Sequence, residues 1–130
     1  MSEHPNVAAT RAGMEAFVKG DVSTLAAMIA DDAVWHAPGD NPYSGTSTGK
    51  DQIMARMGRL AQDGVVISFD IHDMVGNDEH VVAMVDATFS KGSNSAHGRQ
   101  VQVFHVREGR MTEFWGYNED QAAVDAVLSS

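Results

Sequence analysis

Apolar residues recur at helical spacing through the first half of this chain and at every second position through the second half, with Gly64 marking the change. Val7, Met14, Phe17 and Val18 predict a helix over residues 7–18, which Gly20 stops. Asp21 or Ser23 then caps a second helix with Leu25, Met28 and Ile29 turned inward, packed antiparallel on the first. Asp31-Asp32 interrupts the pattern, and residues 33–37 read as a short strand ended by Pro38 and Gly39. Residues 39–49, GDNPYSGTSTG, hold too many turn formers for regular structure. Thr48 caps a third helix, with Asp51 completing an approximate capping box and Ile53, Met54, Met57, Leu60 and Ala61 facing the core. Beyond Gly64, Val65, Ile67, Phe69 and Ile71 take one face of a strand while Ser68, Asp70 and His72 take the other. Gly76-Asn77-Asp78 turns the chain into a second strand with Val81, Ala83, Val85, Ala87 and Phe89 opposite Met84, Asp86 and Thr88. Residues 91–98 are expected to form a polar, mobile loop, and residues 119–128 a final helix with Val124, Val127 and Leu128 as its stripe.

Between these last two lies the stretch that organises the reading, residues 100–118, QVQVFHVREGRMTEFWGYN, two strands around a turn at Arg107-Glu108-Gly109-Arg110. Gln100, Gln102, Phe104 and Val106 share one face of its first strand, and Val101, Val103 and His105 the other. Neither face is polar enough to be fully solvated, so one side is expected to line the interior and the other to meet a second subunit. Trp115 and Tyr117 alternate with the inward residues and fall on that outer face with Val103. Two registers are open. A two-residue turn at Glu108-Gly109 places Gln102 opposite Trp115. A three-residue loop with Gly109 as a left-handed bulge places Gln102 and Phe104 beside Phe114, Gly116 and Asn118. We favour the second, which sets two neutral amides, Gln102 and Asn118, on an apolar wall as a small-molecule pocket requires.

Helices first and long antiparallel strands after make an α+β domain, a curved sheet closed on its concave side by helices. At 130 residues the chain is a single domain. A net charge of −9 without any cluster of Lys and Arg argues against nucleic acid and anionic membranes as partners. With no cysteine there is no disulfide, zinc–thiolate site or thiol nucleophile. The first ten residues lack a basic segment followed by an apolar run, so a soluble cytoplasmic protein is the expectation.

The run IADDAVWHAPGDNPYSGTSTGKDQI, the strand pair ending in VFHVREGRMTEFW and the order of elements resemble the SnoaL-like branch of the nuclear-transport-factor-two-like superfamily, whose relatives include ketosteroid isomerases and polyketide cyclases. The likeness spans nearly the whole chain, on local motifs A-D-D-A-V-W and P-x-S-G-x-x-x-G. It implies a cone-shaped half-barrel around a deep apolar cavity, commonly dimeric through the outer sheet face. No cofactor is expected. The likeness also marks what is missing. Where the isomerases keep a proton-shuttling carboxylate before a proline, this chain has Ala37; where they keep a phenol on the first helix, it has Gly13; where they keep a protonated acid, it has Gln102. The carboxylate that the cyclases keep in the last strand falls at or near Asn118. Ketosteroid isomerisation, which needs a base at carbon and acidic donors at the oxyanion, is therefore excluded.

The resulting candidate site has Gln102 and Asn118 as its polar groups and Phe17, Trp35, Met57, Phe104 and Phe114 as its apolar wall. Each has a plainer alternative: Asn118 caps the last helix with Gln121, Gln102 bonds a neighbouring strand, and Trp35 is a core residue. The six histidines show no compact ligand spacing, so no metal site is expected. His36 alternates with Trp35 and Ala37 and points away from the pocket unless Pro38 bends the strand; turned inward, it is the best remaining general base. Two functions stand at this point: proton transfer on a carbonyl or polyketide-like metabolite, with Gln102 and Asn118 on a polarised oxygen, or non-catalytic ligand binding or dimerisation. A titratable group within hydrogen-bond reach of the two amides separates them.

Overall fold

The computed structural model describes residues 3–130. Helix α1 spans Pro5–Lys19, starting two residues earlier than its apolar pattern because Pro5 is pre-set for a first turn and the His4 ring accepts from Asn6 N–H. It ends at Gly20, whose φ of +71° is the left-handed cap. Asp21 caps α2, Val22–Ala27. Ile29, expected in that helix, instead opens strand β1, Ile29–Ala37, which is longer than the five residues expected. Asp31-Asp32 breaks only the pairing with the neighbouring strand, where the register shifts between Ile29 and Val34.

Part of the expected loop is also a strand. β2, Gly45–Thr48, pairs antiparallel with β1, its Ser47 opposite Trp35 and buried at the sheet edge. α3, Lys50–Gln62, is capped by Gly49 rather than Thr48, and it is Gln52, not Asp51, that reaches back to accept from Thr48 N–H. Ile53 is fully buried, whereas Ala61 faces outward. β3, Val65–Gly76, alternates as expected until its register slips between Ile71 and Asp73, which turns Met74 rather than Asp73 into the core. β4, His80–Lys91, follows the expected alternation throughout.

The expected polar loop at 91–98 is a tight hairpin, with Lys91 opposite Asn94 and Gly92 at φ +60° supplying the positive-φ first position of a two-residue turn. β5, Asn94–Arg107, then meets β6, Arg110–Asn118, through Glu108-Gly109 alone, at φ +54° and +76°, the signature of a type I′ turn. Such a turn by itself sets Gln102 against Trp115. A bulge at Thr112 absorbs one residue of β6, since Val106 faces Met111 while His105 faces Glu113, and the Thr112 hydroxyl donates to the His105 carbonyl. Gln102 therefore faces Gly116, Phe104 faces Phe114 and Gln100 faces Asn118. The favoured register holds, but by a short turn plus a bulge further along, not by a three-residue loop. α4, Gln121–Leu128, is capped by Asp120, not Asn118.

The six strands form one sheet in the order β2-β1-β6-β5-β4-β3, antiparallel except where β1 runs parallel to β6. The sheet curves without closing, and α1, α3 and α4 lie across its concave side, where Val81, Ala83, Val85, Phe104 and Phe114 form the core. Among the described residues no helix is long and apolar enough to cross a membrane.

Gly13, inside α1, has an ordinary helical φ, and a Cβ there would meet only Met28 Sδ at 3.7 Å. Gly13→Ala should therefore stabilise the fold by about 0.5–1 kcal/mol through helix propensity alone, read as a higher urea midpoint with an unchanged m-value.

Candidate functional site

The concave face of the sheet and the helices over it enclose a cavity of about 150 Å³. Every long element contributes to its wall, which is overwhelmingly apolar. Trp35 and Phe114, side by side on the parallel β1–β6 pair, stack at 3.9 Å between centroids, and Phe104 tilts against Phe114 at 5.2 Å. Phe17 from α1 stacks on Phe69 from β3 at 5.7 Å, and Met14, Met28, Met57 and Met111 also line the cavity. The five apolar positions expected there, Phe17, Trp35, Met57, Phe104 and Phe114, all line the cavity, as do Gln102 and Asn118. Ala37 and Gly13 line it as well, so the positions at which the resemblance expected a carboxylate and a phenol are in the wall and carry neither.

His36 is not brought in. Alternation along β1 turns Trp35 and Ala37 inward and His36 outward, and Pro38 does not reverse it. On the outer face the ring stacks on Trp115 at 5.1 Å, its Nδ1 lies 3.1 Å from Thr46 Oγ1 and its Nε2 2.7 Å from Glu113 Oε2. The candidate general base therefore has no access to anything in the cavity.

Gln102 and Asn118 do not form an isolated pair; they are two links of a longer hydrogen-bonded chain. Gln102 Nε2 donates to Gln100 Oε1 at 2.7 Å, Gln100 Nε2 to Asn118 Oδ1 at 3.0 Å, Asn118 Nδ2 to Gln121 Oε1 at 2.8 Å, and Gln121 Nε2 to Asp125 Oδ1 at 2.9 Å. Asp125 also accepts from Asn41 Nδ2 at 2.8 Å and from the Asp40 N–H at 3.0 Å. Gly39, at φ +89°, crosses directly above the last link, where any Cβ would overlap Asp125 Oδ1 and Gln121 Nε2. Gly116, opposite Gln102, leaves the room into which Phe114 and Gln100 pack.

The sequence offered part of this. Gln100 and Gln102 on one face of a strand, and Gln121 and Asp125 one turn apart on a helix, are visible as spacings. Asn41 gave no signal, being in a loop 84 positions away from its partner. The other polar groups of the wall were also missed. Tyr43 turns its hydroxyl outward to donate to Asp63 Oδ2 at 2.6 Å, and that bond, with burial, raises its pKa above the usual phenol value. Arg56 donates to the carbonyls of Tyr43 at 2.6 Å and Gly45 at 3.2 Å, fixing the loop before β2. Among the described residues no aspartate, glutamate or histidine lines the cavity. Burial pushes the Asp125 carboxyl up, but the bonds from Asn41, Gln121 and the Asp40 N–H outweigh it and hold the group below its ordinary 3.8.

Residues 10–114 match the SnoaL-like domain family. An uncharacterised protein of Mycobacterium tuberculosis is 26% identical over 129 residues, covering 97% of this chain and 98% of that one. Among solved structures, an NTF2-like protein of Burkholderia xenovorans is 28% identical, with 98% of each chain covered and a TM-score of 0.78. A Xanthomonas campestris protein of unknown function with a cystatin-like fold superposes with a TM-score of 0.88 over 96% of this chain and 98% of that one; at 21% identity it speaks to the fold alone.

A carboxyl whose folded pKa is depressed adds stability that is complete above its unfolded pKa and is lost as pH falls through the folded value. Asp125→Asn should accordingly lower the urea midpoint near neutrality, and the gap to the unsubstituted protein should close as the pH is taken from about 7 to about 3. A gap that stays constant with pH would show that the carboxylate charge adds nothing.

Proposed function

This chain belongs to the SnoaL-like domain family, and within it we propose that the protein binds a compact apolar molecule in its cavity without general acid–base chemistry. The observation that carries the reading is an apolar hollow whose wall, among the described residues, holds neutral amides and no carboxylate or imidazole. A general acid or base must come within hydrogen-bond reach of the proton it moves, directly or through one water. Asp125 is separated from Asn118 by the whole of Gln121, His36 is on the far side of the sheet, and Tyr43 is committed to Asp63. Proton transfer on a carbonyl thus has no agent, and binding is what the wall supports.

Size narrows the ligand. A hollow of about 150 Å³ matches cavities that take up benzene and falls below the roughly 300–1,000 Å³ of sites for drug-sized molecules. One or two rings match that volume. The four methionines in the wall, Met14, Met28, Met57 and Met111, allow modest adjustment of shape.

Trp35 gives the readout. In a Trp115→Phe background it is the sole tryptophan, and indene should change its fluorescence saturably and raise the melting temperature. Gly13→Leu, which directs a side chain from α1 into the hollow, should abolish both effects while the protein stays folded. Failure of indene to bind, or equal binding by the Gly13→Leu variant, would refute the reading.

We also propose a homodimer through the outer sheet face. Val103 and Trp115 are direct cross-strand partners there, as are Val101 and Tyr117, and the last two are 38% and 58% exposed. Apolar bulk of this kind supports an interface. Sedimentation velocity should give twice the 14.0 kDa chain mass, and Tyr117→Glu should give the monomer; a monomeric unsubstituted protein would contradict it.

A further inference from the structure

The amide chain has a direction, and one group in it sets that direction. Amide oxygen and nitrogen are interchangeable in shape, so a row of glutamines and asparagines can run either way. Asp125 is different. As a carboxylate it only accepts, and it already takes bonds from Asn41 Nδ2 and the Asp40 N–H. Gln121 must therefore present its nitrogen to Asp125 and its oxygen to Asn118. The same requirement passes to Asn118, to Gln100 and finally to Gln102. At the cavity end the last amide has given one N–H to Gln100, and its Oε1 is left without a protein partner.

Gln102 is 3% exposed and Gln100 7%, so no bulk solvent reaches this end of the chain. Gln102 Oε1 accepts from no protein donor, yet no fully buried side-chain oxygen or nitrogen among the described residues lacks a partner. That oxygen therefore opens onto the cavity rather than being sealed in the wall. Hydrogen bonds in sequence polarise one another, and here every dipole is aligned by the anionic end, which makes the terminal carbonyl a better acceptor than a lone glutamine.

From this we infer that the cavity selects a compact apolar molecule carrying a hydroxyl or N–H donor, which it receives on Gln102 Oε1. The inference rests on the cavity-binding reading and gives it a ligand class. It also reverses the sequence-based role of Gln102 and Asn118 as donors to a polarised oxygen: an oxygen-only ligand has no hydrogen to give Gln102 Oε1 and leaves a buried acceptor unpaired. Asp125, five positions along the chain of bonds from the ligand, acts as a positioning residue.

The test uses four bicyclic probes of nearly equal size, with isothermal titration calorimetry as readout: indene with no polar atom, indole with an N–H donor, benzofuran with an ether oxygen, and 1-indanone with a carbonyl. Leaving a buried acceptor unmatched costs enough to expect about tenfold tighter binding of indole than of benzofuran or 1-indanone. Gln102→Leu should erase that ratio, read as the affinities of the four probes relative to one another within the variant. Asp125→Asn can also donate, so the chain is free to reverse; the preference of indole over 1-indanone should shrink or invert, with indene unaffected. A merely structural role for Asp125 would weaken all four probes together, and that outcome overturns the inference. So does equal binding of the four by the unsubstituted protein, or tighter binding of 1-indanone, both of which leave the cavity-binding reading standing. Only the failure of indene itself counts against that reading.

Discussion

Neutral amides inside an apolar wall have to find partners, because an unpaired buried donor or acceptor costs more than a formed hydrogen bond gains. In this domain the requirement is met in series. Gln102, Gln100, Asn118 and Gln121 hand the bond from one to the next until it reaches Asp125, and the loop bearing Gly39, Asp40 and Asn41 closes over that end. The series ties β5, β6, α4 and the loop after β1 to one another. Its members must keep their register for any of them to be satisfied, which makes the bulge at Thr112 a requirement of the site as well as of the hairpin.

The same arrangement separates the charge of the site from its chamber. A carboxylate set directly in an apolar cavity would be driven toward its neutral form by desolvation, and would then be available to donate or to take a proton. Here the carboxylate lies outside the wall with three donors on it, and only its polarity, carried by four amides, reaches the interior. With Ala37 and Gly13 in it, the wall carries no carboxylate or imidazole among the described residues. What this chain sets around its hollow is apolar side chains and one aligned row of amides.

Much of the fold could be read from the sequence because one face of nearly every element is buried. The alternation of β3 and β4, the stop at Gly20 and the inward set of Phe17, Trp35, Met57, Phe104 and Phe114 follow from that alone. What could not be read depended on contacts remote in sequence. β2 lies in a stretch of turn formers and is a strand only because β1 offers it an edge. The Thr112 bulge leaves no mark in a run that alternates plausibly either way. Gln102 and Asn118 were visible as amides in the wall, but the direction they point was not, since it is set by a carboxylate on another helix and by an asparagine in a distant loop.

The direction of the amide chain is the claim on which the ligand class turns, and neutron diffraction from perdeuterated crystals measures it without a ligand. Deuterium on the nitrogens would distinguish every amide oxygen from its nitrogen. The account predicts Gln102 with its nitrogen on Gln100 and its oxygen toward the cavity, Asp125 free of deuterium, and all four amides oriented alike. A deuterated Asp125, or a Gln102 nitrogen turned into the cavity, would contradict it.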